Sequence, residues 1–180
     1  MKPIPRRLAA VAVGVTAGIA ILYGAGALYG MLTVSSPLDR VFGESPSVVS
    51  HTIVARQPVM VVRVTLDEVD DLREEVRTLE ERASSALRGQ PVQIQVRDNR
   101  DAALAAAYHS MHFYIQEAVV TGRFSEMNER IASCARQAGL DKYKVFVDDD
   151  RVYVQLHLDG RHLYEIVSRE ERPEAPRSGA

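Results

Sequence analysis

The chain has 180 residues, a length typical of one domain with or without an appended segment. Its hydrophobic fraction of 46% and charged fraction of 26% are ordinary for a globular protein and exclude a wholly disordered chain. Three of the 22 basic residues lie among the first seven positions, so the rest of the chain holds 19 basic against 24 acidic residues. This acidic balance disfavours nucleic acid as a partner, and the single cysteine, Cys134, excludes an intramolecular disulfide.

The N-terminal region is strongly apolar, because residues 8–38 include no charged side chain. A bilayer core about 30 Å thick needs roughly 20 apolar residues in a helix, and residues 8–34 exceed that length. We therefore predict a transmembrane helix over residues 8–34 in contact with membrane lipid. Basic residues precede this segment and Asp39 follows it, so the positive-inside rule places residues 1–7 in the cytoplasm and the remaining chain outside it.

A cleaved signal peptide is the alternative, and it would yield a secreted protein. Residues 25–27 (Ala-Gly-Ala) resemble a small-residue cleavage site. The apolar core of a signal peptide is usually about 7–15 residues long, and the segment here is roughly twice that length. We therefore favour a retained anchor.

Two pairs of glycines in this segment are four residues apart, Gly14 with Gly18 and Gly26 with Gly30. Glycines at this spacing lie on one helix face and allow a second helix to approach closely, which suggests packing between membrane helices. Gly is also frequent in membrane helices in general, so the pattern alone does not establish such packing.

The rest of the chain is predicted to be a linker, a domain and a tail. Residues 35–57 are rich in Ser and Pro and are expected to form a linker, with a short strand at 52–54. Residues 58–167 are expected to form an α+β domain of order β-α-β-α-α-β-β-β. We predict one mixed sheet with helices mainly on one face. Residues 168–180 are charged and Pro-containing, which favours a disordered tail.

The first half of the predicted domain is a strand-helix-strand unit. Residues 58–64 are β-branched and suit a buried strand. Thr65 and Glu68 have the spacing of a capping box, so a helix is expected to begin at Thr65 and to end near Gly89. Its apolar stripe faces the core, although a self-associating coiled coil could use the same stripe. Residues 91–97 alternate strictly and predict a strand parallel to the first.

Two helices follow. Asp101 is a natural N-cap for a helix over residues 102–121, which Gly122 would end. Ser125 is expected to cap the next helix, which would end at Gly139. Because the connection is short, the two helices are predicted to form a hairpin.

Three strands close the domain, at residues 143–147, 152–158 and 161–167. The pair Asp159-Gly160 is typical of a two-residue type I′ turn, which requires positive φ twice. This turn would place His157 opposite His162.

Four histidines are candidate metal ligands: His109, His112, His157 and His162. The first two lie three residues apart on one helix, and the other two are predicted cross-strand neighbours. Together they would suit Zn²⁺ if the fold brought the pairs together. The alternative is that all four are packing or surface residues.

No other pattern indicates catalysis. Residues 148–150 are three aspartates that suit either a weak Ca²⁺ site or a solvated turn, and the turn is favoured because the spacing of a calcium loop is absent. Cys134 lies on the inner stripe of its helix and is expected to be a packed thiol. The sequence contains no nucleophile elbow and no phosphate-binding glycine loop after a strand, so no cofactor is expected.

Three functions are compatible with these patterns. We favour a non-enzymatic, single-span protein whose extracytoplasmic domain binds membrane or envelope proteins, or copies of itself. If the final strand lies at a sheet edge, its exposed backbone groups could pair with a strand of the partner. The first alternative is a ligand-sensing or substrate-binding accessory subunit of a membrane complex, with a pocket lined by Tyr108, His112, Tyr153 and Tyr164. The second is a metal-dependent hydrolase that uses the four histidines.

Overall fold

The computed structural model describes residues 36–55 and 59–169. The elements in chain order are α1 (Ser36–Gly43), β1 (Val48–Ala55), β2 (Met60–Leu66), α2 (Leu72–Ala86), β3 (Val92–Arg97), α3 (Ala102–Thr121), α4 (Phe124–Gln137), β4 (Lys142–Val147), β5 (Arg151–Leu158) and β6 (Arg161–Ser168).

The predicted membrane helix at residues 8–34 lies outside the described residues, together with Gly14, Gly18, Gly26 and Gly30. The same is true of residues 170–180 in the predicted tail. Within the described ranges, no helix has the length and apolar character needed to cross a bilayer.

The predicted fold class is wrong in its sheet, whereas the predicted order β-α-β-α-α-β-β-β is found from β2 to β6, with α1 and β1 preceding it. The described chain is α+β, but it forms two three-stranded sheets, β1-β2-β3 and β4-β5-β6, instead of one mixed sheet. The sheets do not merge because side chains occupy the edge of β6. The backbone N–H of His162 donates to Asn99 Oδ1 at 2.7 Å, and that of Tyr164 donates to Asp98 Oδ2 at 2.7 Å.

Helices cover both faces of the second sheet, so the prediction of helices mainly on one face is also wrong. One face of β5 and β6 contributes Val154 and Leu163 to a core shared with α3 and α4. The opposite face contributes Tyr153 and Tyr164 to a second core, which α2 and the first sheet complete. The β4-β5-β6 sheet is therefore the middle layer of the described domain.

Most of the segment predicted as a linker is folded. Helix α1 buries Leu38 and Phe42 completely, and β1 pairs antiparallel with β2. Two apolar residues four apart are enough to attach one face of a short helix to a core, but they are too few to form a recognisable stripe among Ser, Pro and charged residues.

The helix predicted to begin at Thr65 begins later. Strand β2 continues to Leu66, and α2 starts at Leu72, with the side chain of Asp71 accepting from the N–H of Glu74 at 2.9 Å. Thr65 Oγ1 instead accepts a hydrogen bond from Ser50 Oγ on the neighbouring strand. Pairing on both sides of β2 overrides the local capping signal.

Several local predictions are confirmed. β2 and β3 are parallel, and Asp101 caps α3 by accepting from the N–H of Leu104 at 2.9 Å. Gly122 ends α3 with φ of 77°. The β5–β6 turn has positive φ at both Asp159 and Gly160, which is the geometry of a type I′ turn.

The start of α4 differs from its prediction. The helix begins at Phe124, and Arg123 occupies the N-cap position without a side-chain hydrogen bond to the helix. The predicted capping residue, Ser125, lies inside the first turn.

Candidate functional site

The outer face of α3 is an exposed row of uncharged side chains. The helix buries an inner row of side chains against the second sheet and α4, including Leu104, Met111 and Ile115. On the opposite side lies a row spaced alternately by four and three residues, all exposed, which we call the outer stripe: Ala102, Ala106, His109, Phe113, Gln116 and Val120.

This outer stripe exposes large apolar side chains. Phe113 is 69% exposed and Val120 is 74% exposed. The only charged residue in the 20 residues of α3 is Glu117, which lies beside α4 rather than in the stripe. A surface helix normally presents charged and polar residues to water, so this uncharged outer face is a candidate binding surface.

Aromatic contacts order the centre of this face. The rings of His109 and Phe113 are 6.2 Å apart between centroids, and those of His112 and Phe113 are 5.7 Å apart, both in edge-to-face geometry. Tyr108 contacts His112 in the same manner at 5.9 Å. Edge-to-face pairs are favourable beyond their area of contact, so Phe113 is held in place while remaining exposed.

The four residues predicted to line one pocket are separated. Tyr108 and His112 lie half-buried on α3, on one side of the second sheet. Tyr153 and Tyr164 are buried in the core on the other side. Strand alternation explains the separation, because Tyr153 and Tyr164 point away from the sheet face that contacts α3.

Tyr164 does reach a different cavity, a cleft of about 330 Å³ between β3 and β6. Its lining includes Arg63, Gln93, Gln95, Arg100, Arg151 and Tyr164. Most of the positive charge there is already paired. Arg100 contacts Asp98 at 2.7 Å and Glu165 at 2.6 Å, and Arg151 contacts Glu80 at 2.9 Å.

Asp98 pairs with Arg100 of this cleft, and its side chain is 3% exposed. Burial opposes ionisation, but hydrogen bonds from the Arg100 guanidinium and from the backbone N–H groups of Tyr164 and Arg100 outweigh it and lower the pKa of Asp98. Asp98 is therefore an ionised link between the end of β3 and the edge of β6.

His157 and His162 are cross-strand neighbours, as the turn predicted, with ring centroids 6.3 Å apart. His162 stacks on Tyr164 at 4.6 Å, and its Nε2 lies 3.1 Å from the carbonyl oxygen of Leu66. His157 is buried, which lowers its pKa, while Glu68 near its Nδ1 opposes that effect. Both histidines are integral to the core between the second sheet and β2.

The two histidine pairs lie on opposite faces of the β4-β5-β6 sheet. His109 and His112 are on α3, and His157 and His162 point toward the other core. In the described ranges, no group of three or more His, Cys, Asp or Glu side chains could hold a metal ion. The arrangement that a four-histidine zinc site requires is therefore not formed by these residues.

The aspartate loop at residues 148–150 is a turn stabilised by its own side chain. Asp148 Oδ1 accepts from the N–H of Asp150 at 3.2 Å and from that of Arg151 at 2.8 Å. Burial opposes ionisation, but these bonds from Arg151 and Asp150 contribute to a lowered pKa of Asp148. Cys134 is half-buried on α4, with its Sγ 3.9 Å from the carbonyl oxygen of Ser110.

Comparisons with known proteins give no match: no protein-family model fits the sequence, and neither a curated protein nor a solved structure is similar to the chain.

The sequence predicted the helix over residues 102–121, but the outer stripe of α3 was missed. A signal was present, since residues 102–121 contain a single charge, whereas α2 carries charged pairs along its outer side. An amphipathic helix of this length would be expected to have several charges on its exposed face.

Proposed function

We propose that this protein is a non-enzymatic interaction module, held at a membrane by its apolar N-terminal segment, residues 8–34. Its folded domain lies on the extracytoplasmic side and binds another protein through the outer stripe of α3. The observation that carries the proposal is the exposure of Phe113 and Val120 on a helix face without charge. Exposed apolar surface of this kind is typical of protein-binding sites.

The charge pattern of the sequence supports the placement at a membrane. The three basic residues before position 8 and the acidic residues after position 38 agree with the positive-inside rule.

The experiment uses the full-length chain in its membrane, with a photo-crosslinking side chain at position 116 or, as a control, at position 49. Val49 is 65% exposed on β1, an edge strand of the first sheet, whereas α3 packs against the second sheet. We expect adducts from position 116 and not from position 49. Absence of adducts at 116, or equal adducts at both positions, would contradict the proposal.

A matched pair of variants tests the chemistry of the contact. Val120→Asp places a charge in the outer stripe, and Val49→Asp places the same charge on a similarly exposed valine elsewhere. Burying an unpaired carboxylate in an interface is unfavourable, so Val120→Asp should lower adduct yield about tenfold or more. Val49→Asp should leave the yield unchanged.

A ligand-binding accessory subunit is the second candidate, and the cleft between β3 and β6 favours it. Its volume of about 330 Å³ is near the lower limit for small-molecule sites. The guanidinium of Arg63 is the cationic group there that contacts an amide, Gln95 Oε1 at 3.3 Å, instead of a carboxylate. Thermal-shift titration of the full-length chain with small carboxylates tests it, and a response that Arg63→Gln does not abolish would contradict it.

A further inference from the structure

We propose that the partner of the outer stripe is a second copy of this chain, whose α3 lies antiparallel against the first. The inference rests on the proposed function and specifies the partner at that same surface. It is carried by the order of residue sizes along α3 and by the absence of charge in the stripe.

The spacing of the stripe suits helix–helix packing. Its six positions are separated by four, three, four, three and four residues, which is the repeat of a two-helix seam. Side chains at this spacing stay on one side of the helix over its full length of about 30 Å. Two such helices can pack with a shallow crossing angle along all six positions.

The stripe is complementary to itself when one copy is reversed. The N-terminal half is small, with Ala102 and Ala106, and the C-terminal half is larger, with Gln116 and Val120. Reversal about the centre of α3, between His109 and Phe113, gives three kinds of contact between copies: Ala102 with Val120, Ala106 with Gln116, and His109 with Phe113.

A parallel pair would fit less well. Each residue would then meet its own copy, so alanines would face alanines at one end while valines and phenylalanines faced each other at the other. The helix axes would have to be close at one end and far apart at the other. The antiparallel arrangement places a small residue opposite a larger one at both ends, and it keeps the axes at an even distance.

The centre of the antiparallel pair would be aromatic. Within one copy, His109 and Phe113 are already in edge-to-face contact. A two-fold axis between them brings both pairs together into a cluster of four rings, and the same surface patch is used by both copies, as in most symmetric dimers. Glu117 lies toward α4, so no carboxylate of α3 is desolvated at the seam.

The available area sets where the dimer forms. With 20 residues, α3 is about 30 Å long and about 10 Å across, so its outer face projects roughly 300 Å². Two such faces bury less than the roughly 1,000 Å² typical of stable interfaces. Copies attached to one membrane meet at a much higher effective concentration. The dimer should therefore form on a membrane and dissociate on dilution in detergent.

Disulfide crosslinking of the full-length chain in lipid vesicles tests the geometry. Cys134→Ser provides the background, and two variants, Ala106→Cys and Gln116→Cys, carry different affinity tags. When the two are mixed, the antiparallel dimer brings the new thiols together. In either variant alone, the matching thiols are ten residues apart along α3, about 15 Å, which exceeds the reach of a disulfide.

We expect the mixture to form about tenfold more disulfide-linked dimer than either variant alone, because pairing raises the effective thiol concentration. Adding Val120→Asp to both variants should abolish the difference, and Val49→Asp should not. Efficient crosslinking of Ala106→Cys with itself would show parallel pairing and overturn the proposal. No crosslinking above the level of a Val49→Cys control would overturn it too.

The photo-crosslinking experiment separates this inference from the proposed function. Adducts from position 116 that contain a different protein, without disulfide formation in the 106/116 mixture, would retain an interaction surface on α3 and refute the second copy. Absence of both adducts and disulfides would refute both proposals.

Discussion

Replacement of Asp98 by Ala should strongly destabilise the fold, because this carboxylate connects the two sheets. Its oxygens accept four hydrogen bonds: from the Arg100 Nε at 2.8 Å, Arg100 Nη2 at 2.7 Å, the Tyr164 N–H at 2.7 Å and the Arg100 N–H at 3.2 Å. The variant would remove these bonds and leave the edge of β6 without its acceptor.

The expected loss is about 3 kcal/mol in the free energy of unfolding. A single hydrogen bond to a charged group contributes roughly 1.5–3 kcal/mol, and breaking a buried ion pair costs roughly 3–5 kcal/mol. We expect the value at which the two ranges meet, and not a larger one, because Arg100 is about one-third exposed and keeps its contact with Glu165. Urea unfolding of the full-length chain, followed by far-UV circular dichroism, measures the difference.

The difference in free energy of unfolding between wild type and Asp98→Ala should depend on pH. Because the pKa of Asp98 is lowered in the folded state, its ionised form stabilises the fold fully above the unfolded-state value of about 4. This contribution is lost as the pH falls through the folded-state pKa. The gap between wild type and Asp98→Ala should therefore narrow in strong acid. A gap below about 1 kcal/mol at neutral pH, or one that stays constant in acid, would refute the reasoning.

Three further predictions each concern the stability contributed by a single residue. Gly122→Ala forces an alanine to adopt φ of 77° and should lower the free energy of unfolding by about 1 kcal/mol, as measured in urea. Gln155→Ala leaves the Val69 carbonyl and the Leu72 N–H without their partner and should cost about 2–4 kcal/mol in the same assay. Burial lowers the pKa of His157, so the free energy of unfolding should fall as the pH drops below about 6.5, and His157→Leu should flatten that slope in a urea series.

Much of the local structure could be predicted because its causes are local. The cap at Asp101, the end of α3 at Gly122 and the turn at Asp159-Gly160 depend on neighbouring residues and their backbone preferences. The parallel β2–β3 pair also followed from a short strand-helix-strand segment. These features need no knowledge of distant contacts.

The features that were missed depend on distant contacts. The break between the sheets results from Asp98 and Asn99 occupying the edge of β6, more than 60 residues further along the chain. Helix α1 forms because Leu38 and Phe42 fit a core built by later elements. The late start of α2 depends on β2 being paired on both sides, which the spacing of Thr65 and Glu68 does not reveal.

The candidate site was partly visible in the sequence. The sequence predicted the helix itself, but the significance of its outer side became clear only when the fold left Phe113 and Val120 exposed. The predicted pocket failed because residue type alone does not tell which face of a strand Tyr153 or Tyr164 will occupy. The face of the strand on which each tyrosine lies depends on which elements the sheet packs against.

In the proposed arrangement, the position of α1 limits where partners can be met. Its first residue, Ser36, comes two positions after the end of the apolar segment, and Leu38 is already anchored in the core. Two residues span at most about 7 Å, so in the proposed arrangement the domain has no stalk and rests against the lipid headgroups. A domain of about 130 residues has a radius of gyration near 14 Å, and a uniform sphere with that radius of gyration is about 36 Å across. The domain would therefore extend only about 36 Å from the bilayer. The domain would then meet only proteins that diffuse in the same membrane, and it would not reach a protein fixed to a distant cell-wall layer.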